Sequence, residues 1–401
     1  MRACVRKLLH GTLAVALLLS LTGCWSGVEL NRRAFARVML IDKGEHGLEL
    51  TLGFPLPNRM TSGKGTGGSD MSGGQPFTFI TKSGDSLIEA YRRIQADMSR
   101  RITFGQLRSI VIGQAFAKEG IEPLLDFAAR ETRLHINASL YATEGDAKAF
   151  TTIPVTTERF PTDILANFVK EHVTITATVK DMLTAMLSGG DLLLPTLVFG
   201  NQGAAQEKRA AQWMSTNGSM LLRKGRMAGS LSTEESKGAM WILGQLKELE
   251  YVAPSPEDGK MVSYLVRHSK TKIEPKWDGT RLVIAIRCSA VATVLATDSD
   301  MDLTDPAKLA SLKLPLETKL EEQLTKAVER AKKHKTEPYK FSQHIQWTYP
   351  KLWAGLQPDW RDYFAERTEV RSEFDVSIKW YGAAQGPEWN RRFHQEEESG
   401  S

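Results

Sequence analysis

Leu48-Glu49-Leu50-Thr51-Leu52-Gly53-Phe54 places an apolar residue at every second position. Successive side chains of a β-strand leave opposite faces, so this period of two predicts a strand half-buried against a core. The reading extends on both sides. Val38 to Ile41 has strand character, and Phe77 to Thr81 returns as a strand. Between them, residues 61–75 hold six glycines among serines and threonines, a composition that predicts a mobile surface loop. Ser86-Leu87-Ile88-Glu89 is a capping box, and Leu87, Tyr91, Ile94 and Met98 follow at helical spacing. Leu107 to Ile112 reads as a buried strand. A helix opens near Pro123 with Leu124, Leu125 and Phe127, and His135 to Ala142 alternates again. Strand, helix, strand, helix, strand in that order predicts a mixed α/β domain over residues 24–155.

Residues 156–205 read as a small, mainly helical region. Ile164, Leu165 and Phe168 mark one helix, Met182 to Leu187 a second, and Gly189-Gly190 ends it. A C-terminal α+β domain follows over 206–382. Ser219 to Leu222 and Met227 to Leu231 are strands about a turn at Lys224-Gly225, and Ser232-Thr233-Glu234-Glu235 is a second capping box. Leu282 to Leu295 is a long strand. A helix from Pro306 to Lys333 follows, kinked or split at Pro315. Val370, Ser372, Phe374, Val376, Ile378 and Trp380 alternate with charged and polar residues as a last strand, and the polar tail 383–401 is expected to be disordered. The fold class is multidomain α+β, with mixed sheets flanked by helices.

The N-terminus carries a processing signal. Arg2, Arg6 and Lys7 precede an apolar run, Leu13 to Leu21, too short to span a bilayer. Leu21-Thr22-Gly23-Cys24 ends it as a lipobox. Residues 1–23 are thus expected to be a lipoprotein signal peptide, and Cys24 the diacylglycerol attachment site. Two acyl chains hold firmly where one holds marginally. The chain is then membrane-anchored and extracytoplasmic. Arg32, Arg33 and Arg37 follow closely enough to meet anionic headgroups.

Of 401 residues, 41% are hydrophobic and 25% charged, which suits soluble globular domains with room for two or three cores. Removing residues 1–23 takes three basic residues and no acidic one, so the formal charge falls from +5 to +2 and nothing points to nucleic acid. Cys4 leaves with the signal and Cys24 takes the lipid. Cys288 is left alone in a strand pattern as a small buried hydrophobe, with no disulfide partner. No catalytic or metal motif is present. Gly63-Lys64-Gly65-Thr66-Gly67-Gly68 matches a dinucleotide fingerprint formally, but the next helix begins only after a further strand. His334 and His344 lack metal-ligand spacing, and Lys332, Lys333 and Lys335 complement a helix C-terminus. Trp347, Trp353, Trp360, Tyr349 and Tyr363 are mostly core, with an exposed subset available to a partner.

Several blocks together resemble a family. Gly23-Cys24-Trp25, Glu29-Leu30-Asn31 and Ala34-Phe35 open it, and Gly84 to Ala90 with Ser99-Arg100-Arg101-Ile102-Thr103-Phe104-Gly105-Gln106-Leu107-Arg108 continues it. Gly120-Ile121, Leu125-Asp126-Phe127, Asn217-Gly218-Ser219-Met220, Gly229-Ser230-Leu231 and the Trp353 to Gly382 ending complete it. The chain is similar to the Ger(x)C lipoproteins, the C subunits of spore germination receptors. It departs from them at Ser26, at Gln106 and in the turn from Glu337 to Gln343, which lacks glycine. The resemblance implies a non-catalytic subunit without a cofactor, held by the lipid on Cys24 at the outer leaflet of the spore inner membrane. It implies two multi-pass membrane subunits as partners, with the nutrient bound by another subunit. Trp25, Glu29, Leu30 and Asn31 are the candidate partner contacts beside the anchor. The alternatives are an extracytoplasmic solute-binding lipoprotein, which needs a cleft between two lobes, and an envelope hydrolase.

Overall fold

The computed structural model describes His10 and residues 32–380 apart from 57–76, 132, 154–157, 159, 188 and 201–212. Its centre is a sheet whose middle strands are covered on both faces. β2 (Val38–Lys43), β6 (Ser109–Ile112), β7 (Ser139–Thr143) and β8 (Leu192–Gly200) run parallel. β3 (Leu48–Pro55) and β4 (Phe77–Gly84) extend one side antiparallel, and β9 (Trp213–Arg223) and β10 (Arg226–Leu231) the other. The order is β10-β9-β8-β7-β6-β2-β3-β4. β1 (Arg33–Phe35) and β5 (Arg101–Thr103) form a separate parallel pair.

Parallel strands need helical crossovers, and these cover both faces. On one face lie α1 (Leu87–Ala96), α2 (Gln114–Glu119), α3 (Glu122–Arg130) and α5 (Val179–Leu187), packed on Met39, Ile41, Ile110 and Ile112. On the other lie a 3-10 turn (Ala147–Thr152) and α4 (Pro161–Lys170), packed on Val38, Leu40, Val111 and Tyr141. Adjacent residues of β2 and β6 thus serve different cores, which is why those strands read as continuous apolar runs.

The second sheet has the order β11-β12-β13-β14. β11 (Glu248–Pro254), β12 (Met261–Trp277) and β13 (Leu282–Thr297) are antiparallel neighbours, and β14 (Glu369–Lys379) returns parallel to β13. One face packs on α6 (Thr233–Ile242) and the long α8 (Lys313–Lys333). Three short helices, α9 (Phe341–Thr348), α10 (Pro350–Leu356) and α11 (Trp360–Arg367), finish the layer. Gly238 on α6 lies so close to α8 that a Cβ would strike the Gln323 carbonyl. Leu193 and Leu221 of the large sheet join this second core, so the β9–β10 end of that sheet ties the two layers together.

Most expected strands appear within two or three residues of their sequence limits, and the capping box at Ser232 forms with both reciprocal hydrogen bonds. Three differences have physical causes. Leu192–Gly200, read within a mainly helical stretch, is strand β8, and Pro195 sits at its register shift against β9, where a missing N–H is tolerated. The large sheet accordingly runs across residue 205, through β9 and β10. The long helix breaks at Leu312, after α7 (Pro306–Ser311), so Pro315 falls in the first turn of α8, where its N–H would have no intrahelical partner.

Candidate functional site

Cys24, Trp25, Glu29, Leu30 and Asn31, the lipid site and the contacts read beside it, lie outside the described residues, as does the Gly63 to Gly68 motif. Among the described residues, what the fold assembles is a polar junction between the two layers. Its origin is Gly189-Gly190, both at positive φ, after α5. This turn aims Asp191 across to the C-terminal helices. Arg361 on α11 donates from Nε to both carboxylate oxygens at 3.0 Å, and from Nη2 to Oδ1 at 2.8 Å. The Glu337 amide donates to Oδ2 at 2.8 Å, and the Lys224 amide to Oδ1 at 3.2 Å. Arg361 also reaches the Gly189 carbonyl. Asp191 and Arg361 are 5% and 21% exposed as side chains, dry enough for the pair to count, since charge-assisted bidentate contacts are among the stronger ones.

Glu337 forms the second half of the junction. Its Oε1 accepts from the Tyr339 and Phe341 amides at 3.0 and 2.9 Å. Its Oε2 accepts from the Ser342 amide at 3.0 Å and from Trp360 Nε1 at 3.3 Å. The side chain therefore caps the start of α9 from outside the helix and fastens it to α11. Burial pushes this carboxyl up to about 7, against the pull of its N–H donors. Trp360 packs on Trp353 at 5.6 Å between ring centroids and stacks on Tyr363 at 6.4 Å. Beside these rings a cavity of about 310 Å³ opens, lined by Asp181, Gly190, Lys340, Trp353, Trp360 and Arg361. Lys340 reaches Asp181 across it at 3.5 Å.

Chemically, the junction positions rather than reacts: Asp191 and Glu337 both spend their lone pairs on protein donors. Asp42 does the same elsewhere, capping the 3-10 turn through the Ala147 and Lys148 amides at 2.7 and 2.8 Å, with burial raising it to about 6. Sequence reading missed all three: Asp42 and Asp191 are defined by partners far along the chain, and Glu337, though its amide donors lie within five residues, fits no capping-box spacing. A second cavity of about 490 Å³ lies beyond the ends of β6 and β7, near Gln114, Glu144, Asn217 and Arg330.

The remaining sequence candidates fall in separate places. Cys288 is buried, its thiol pushed up to about 11 by desolvation. The His334 ring lies against Gly229, and His344 packs edge-on to Trp347. Among the described residues no three His, Cys, Asp or Glu side chains gather as metal ligands. Lys332 donates to the Thr368 carbonyl and lies over the Phe364 ring, while Lys335 pairs with Asp362 at 2.6 Å. The lysines read as dipole complements thus also tie α8 to the last helix. Trp353 and Trp360 are core, and Trp347 is 71% exposed. Arg37 is held inward by Asp163 at 3.4 Å and over the Phe160 ring at 5.1 Å. No helix among the described residues is long and apolar enough to cross a membrane.

Comparison with known proteins covers nearly the whole chain. Residues 26–198 match the family described as spore germination protein N-terminal domain, and residues 217–382 that described as spore germination B3/GerAC like, C-terminal. Spore germination protein KC of Bacillus subtilis (strain 168) is 24% identical over 96% of this chain and 98% of its own length. Spore germination protein B3 of the same organism is 24% identical over 90% and 94%. The crystal structure of the GerBC protein superposes with a TM-score of 0.56 at 19% identity, covering 86% of this chain and 98% of that one, which shows the shared fold.

Proposed function

Because the chain belongs to the Ger(x)C family of spore germination proteins, we propose that it is a lipid-anchored, non-catalytic subunit of a spore nutrient germinant receptor. The observation that carries this reading is the family match over both halves of the chain. In this account the mature protein begins at Cys24 with two acyl chains and needs no cofactor. Its body lies on the outer leaflet of the spore inner membrane, beside two multi-pass subunits. Nutrient binds another subunit. Trp25, Glu29, Leu30 and Asn31 meet a partner next to the anchor. Anchoring confines the body to the membrane surface and raises its effective concentration near membrane partners. The Asp191, Arg361 and Glu337 junction supports the reading mechanically. It joins the large sheet to the terminal helices, so force or displacement at one layer is passed to the other.

Cys24→Ala tests it. The expected result is loss of the protein from the spore membrane fraction together with a nutrient-specific germination defect. Full membrane retention with normal germination would overturn the reading. The cavity beside Trp360 favours a second reading, an extracytoplasmic solute-binding lipoprotein. A ligand binding there raises Tm by mass action, so a thermal-shift screen of amino acids, sugars and nucleosides separates the two. The receptor-subunit reading expects no shift.

A further inference from the structure

The strongest unassigned feature is basic and lies where the described chain begins. β1 and β5 pair in parallel, with Arg33 in register with Arg101. Register partners leave the same face, and like charges set side by side across strands oppose pairing. Arg32 precedes the pair and Arg100 adjoins it; both are exposed, as is Arg101. Arg101 and Arg133 both act on the Tyr91 phenol, so their guanidiniums share its neighbourhood, with Glu131 the acidic group there. Arg101 and Arg133 make no ion pair within 4.0 Å with another described residue. Arg37, the third arginine of the opening segment, is instead committed to Asp163 and Phe160.

We propose that the surface formed by Arg32, Arg100, Arg101 and Arg133 docks on anionic phospholipid headgroups and orients the body on the membrane. The inference rests on the lipid-anchor reading above for its reach. Arg32 lies eight residues after Cys24, and an extended chain of eight residue steps spans at most about 28 Å. The anchor thereby keeps this face within reach of the leaflet. Charge complementarity selects the occupant: Arg32, Arg100, Arg101 and Arg133, which make no ion pair with another described residue, face a surface of phosphodiesters. Each such residue near an anionic leaflet contributes about fivefold to association, and screening removes it at high salt. Docking through this face would direct β1, β5 and the end of α1 at the bilayer.

The test uses the full lipidated chain reconstituted on vesicles of phosphatidylcholine alone or mixed with phosphatidylglycerol. Hydrogen exchange is followed in peptides covering residues 98–108 and 131–136. On anionic vesicles exchange there should slow several-fold, returning to the neutral-vesicle rate at high salt and in the R101E/R133E variant. R101E places a carboxylate beside Arg33, so the variant should keep its thermal transition, which separates docking from folding. Equal exchange on both vesicles overturns the proposal. Flotation with the neutral vesicles reports the anchor independently. A chain that floats only with anionic vesicles, and loses that in R101E/R133E, keeps the docking surface and removes the anchor. A chain that floats with neither overturns both.

Discussion

The two sheets of this protein treat charge in opposite ways. The large sheet buries its parallel centre on both faces, and the one carboxylate in those strands, Asp42, is held by backbone amides. The four-stranded sheet is covered on one face. On its other face it carries Arg267 on Glu248 at 2.8 Å and Arg287 on Glu274 at 2.8 Å, all four at least 30% exposed as side chains. Charge in the first setting is structural, because a buried polar group without partners is costly. In the second it guards a wet surface and contributes little. Glu337 and Asp191 show the first principle applied at the seam between the layers.

The contrast can be broken most sharply at the seam. Glu337→Ala leaves the Tyr339, Phe341 and Ser342 amides and the Trp360 indole N–H without their acceptor. It should cost about 3–5 kcal/mol in chemical denaturation. The pH dependence is next. The Glu337 carboxyl is raised from 4.5 to about 7. The folded protein therefore binds this proton more tightly than the unfolded chain. Stability is fully present below 4.5 and falls as pH rises through 7, by an amount on the order of 3 kcal/mol. Asp42, raised from 3.8 to about 6, acts in the same direction. Tm measured from pH 4.5 to 8 should decline, and the part of the decline nearest pH 7 should vanish in Glu337→Gln. Gly238→Ala forces α6 off the Gln323 carbonyl and should cost about 1–3 kcal/mol as overpacking. Arg287→Gln, on the wet face, should stay within about 0.5 kcal/mol. A loss there as large as that of Glu337→Ala would erase the distinction between the sheets.

Elements with one wet face were legible in the sequence. β13 and β14 follow a period of two, and in β13 each even residue from Leu282 to Val294 is buried. β3 alternates in sequence as well, but it is buried on both faces, since Thr51 and Gly53 on its second face are covered too. β12 was not read, because its alternation changes phase. Val262, Tyr264 and Val266 are buried, and then a register shift between Arg267 and Lys270, with His268 at φ 55°, moves the inward positions to odd numbers. β8 was hidden by burial on both faces and by Pro195. The seam was illegible for a different reason. Asp191 and Arg361 stand 170 residues apart, and no local pattern marks either. The arginines were half legible. Those after Cys24 stood out as a group, but only the fold turns Arg37 inward and brings Arg101 beside Arg33.

The receptor-subunit account is tested most directly by affinity capture of the tagged protein from detergent-solubilised spore inner membranes, read by mass spectrometry. It predicts a mature N-terminal peptide starting at diacylated Cys24, recovered with two multi-pass membrane proteins. Abundant protein with an unmodified Cys24 and no membrane partner would contradict it.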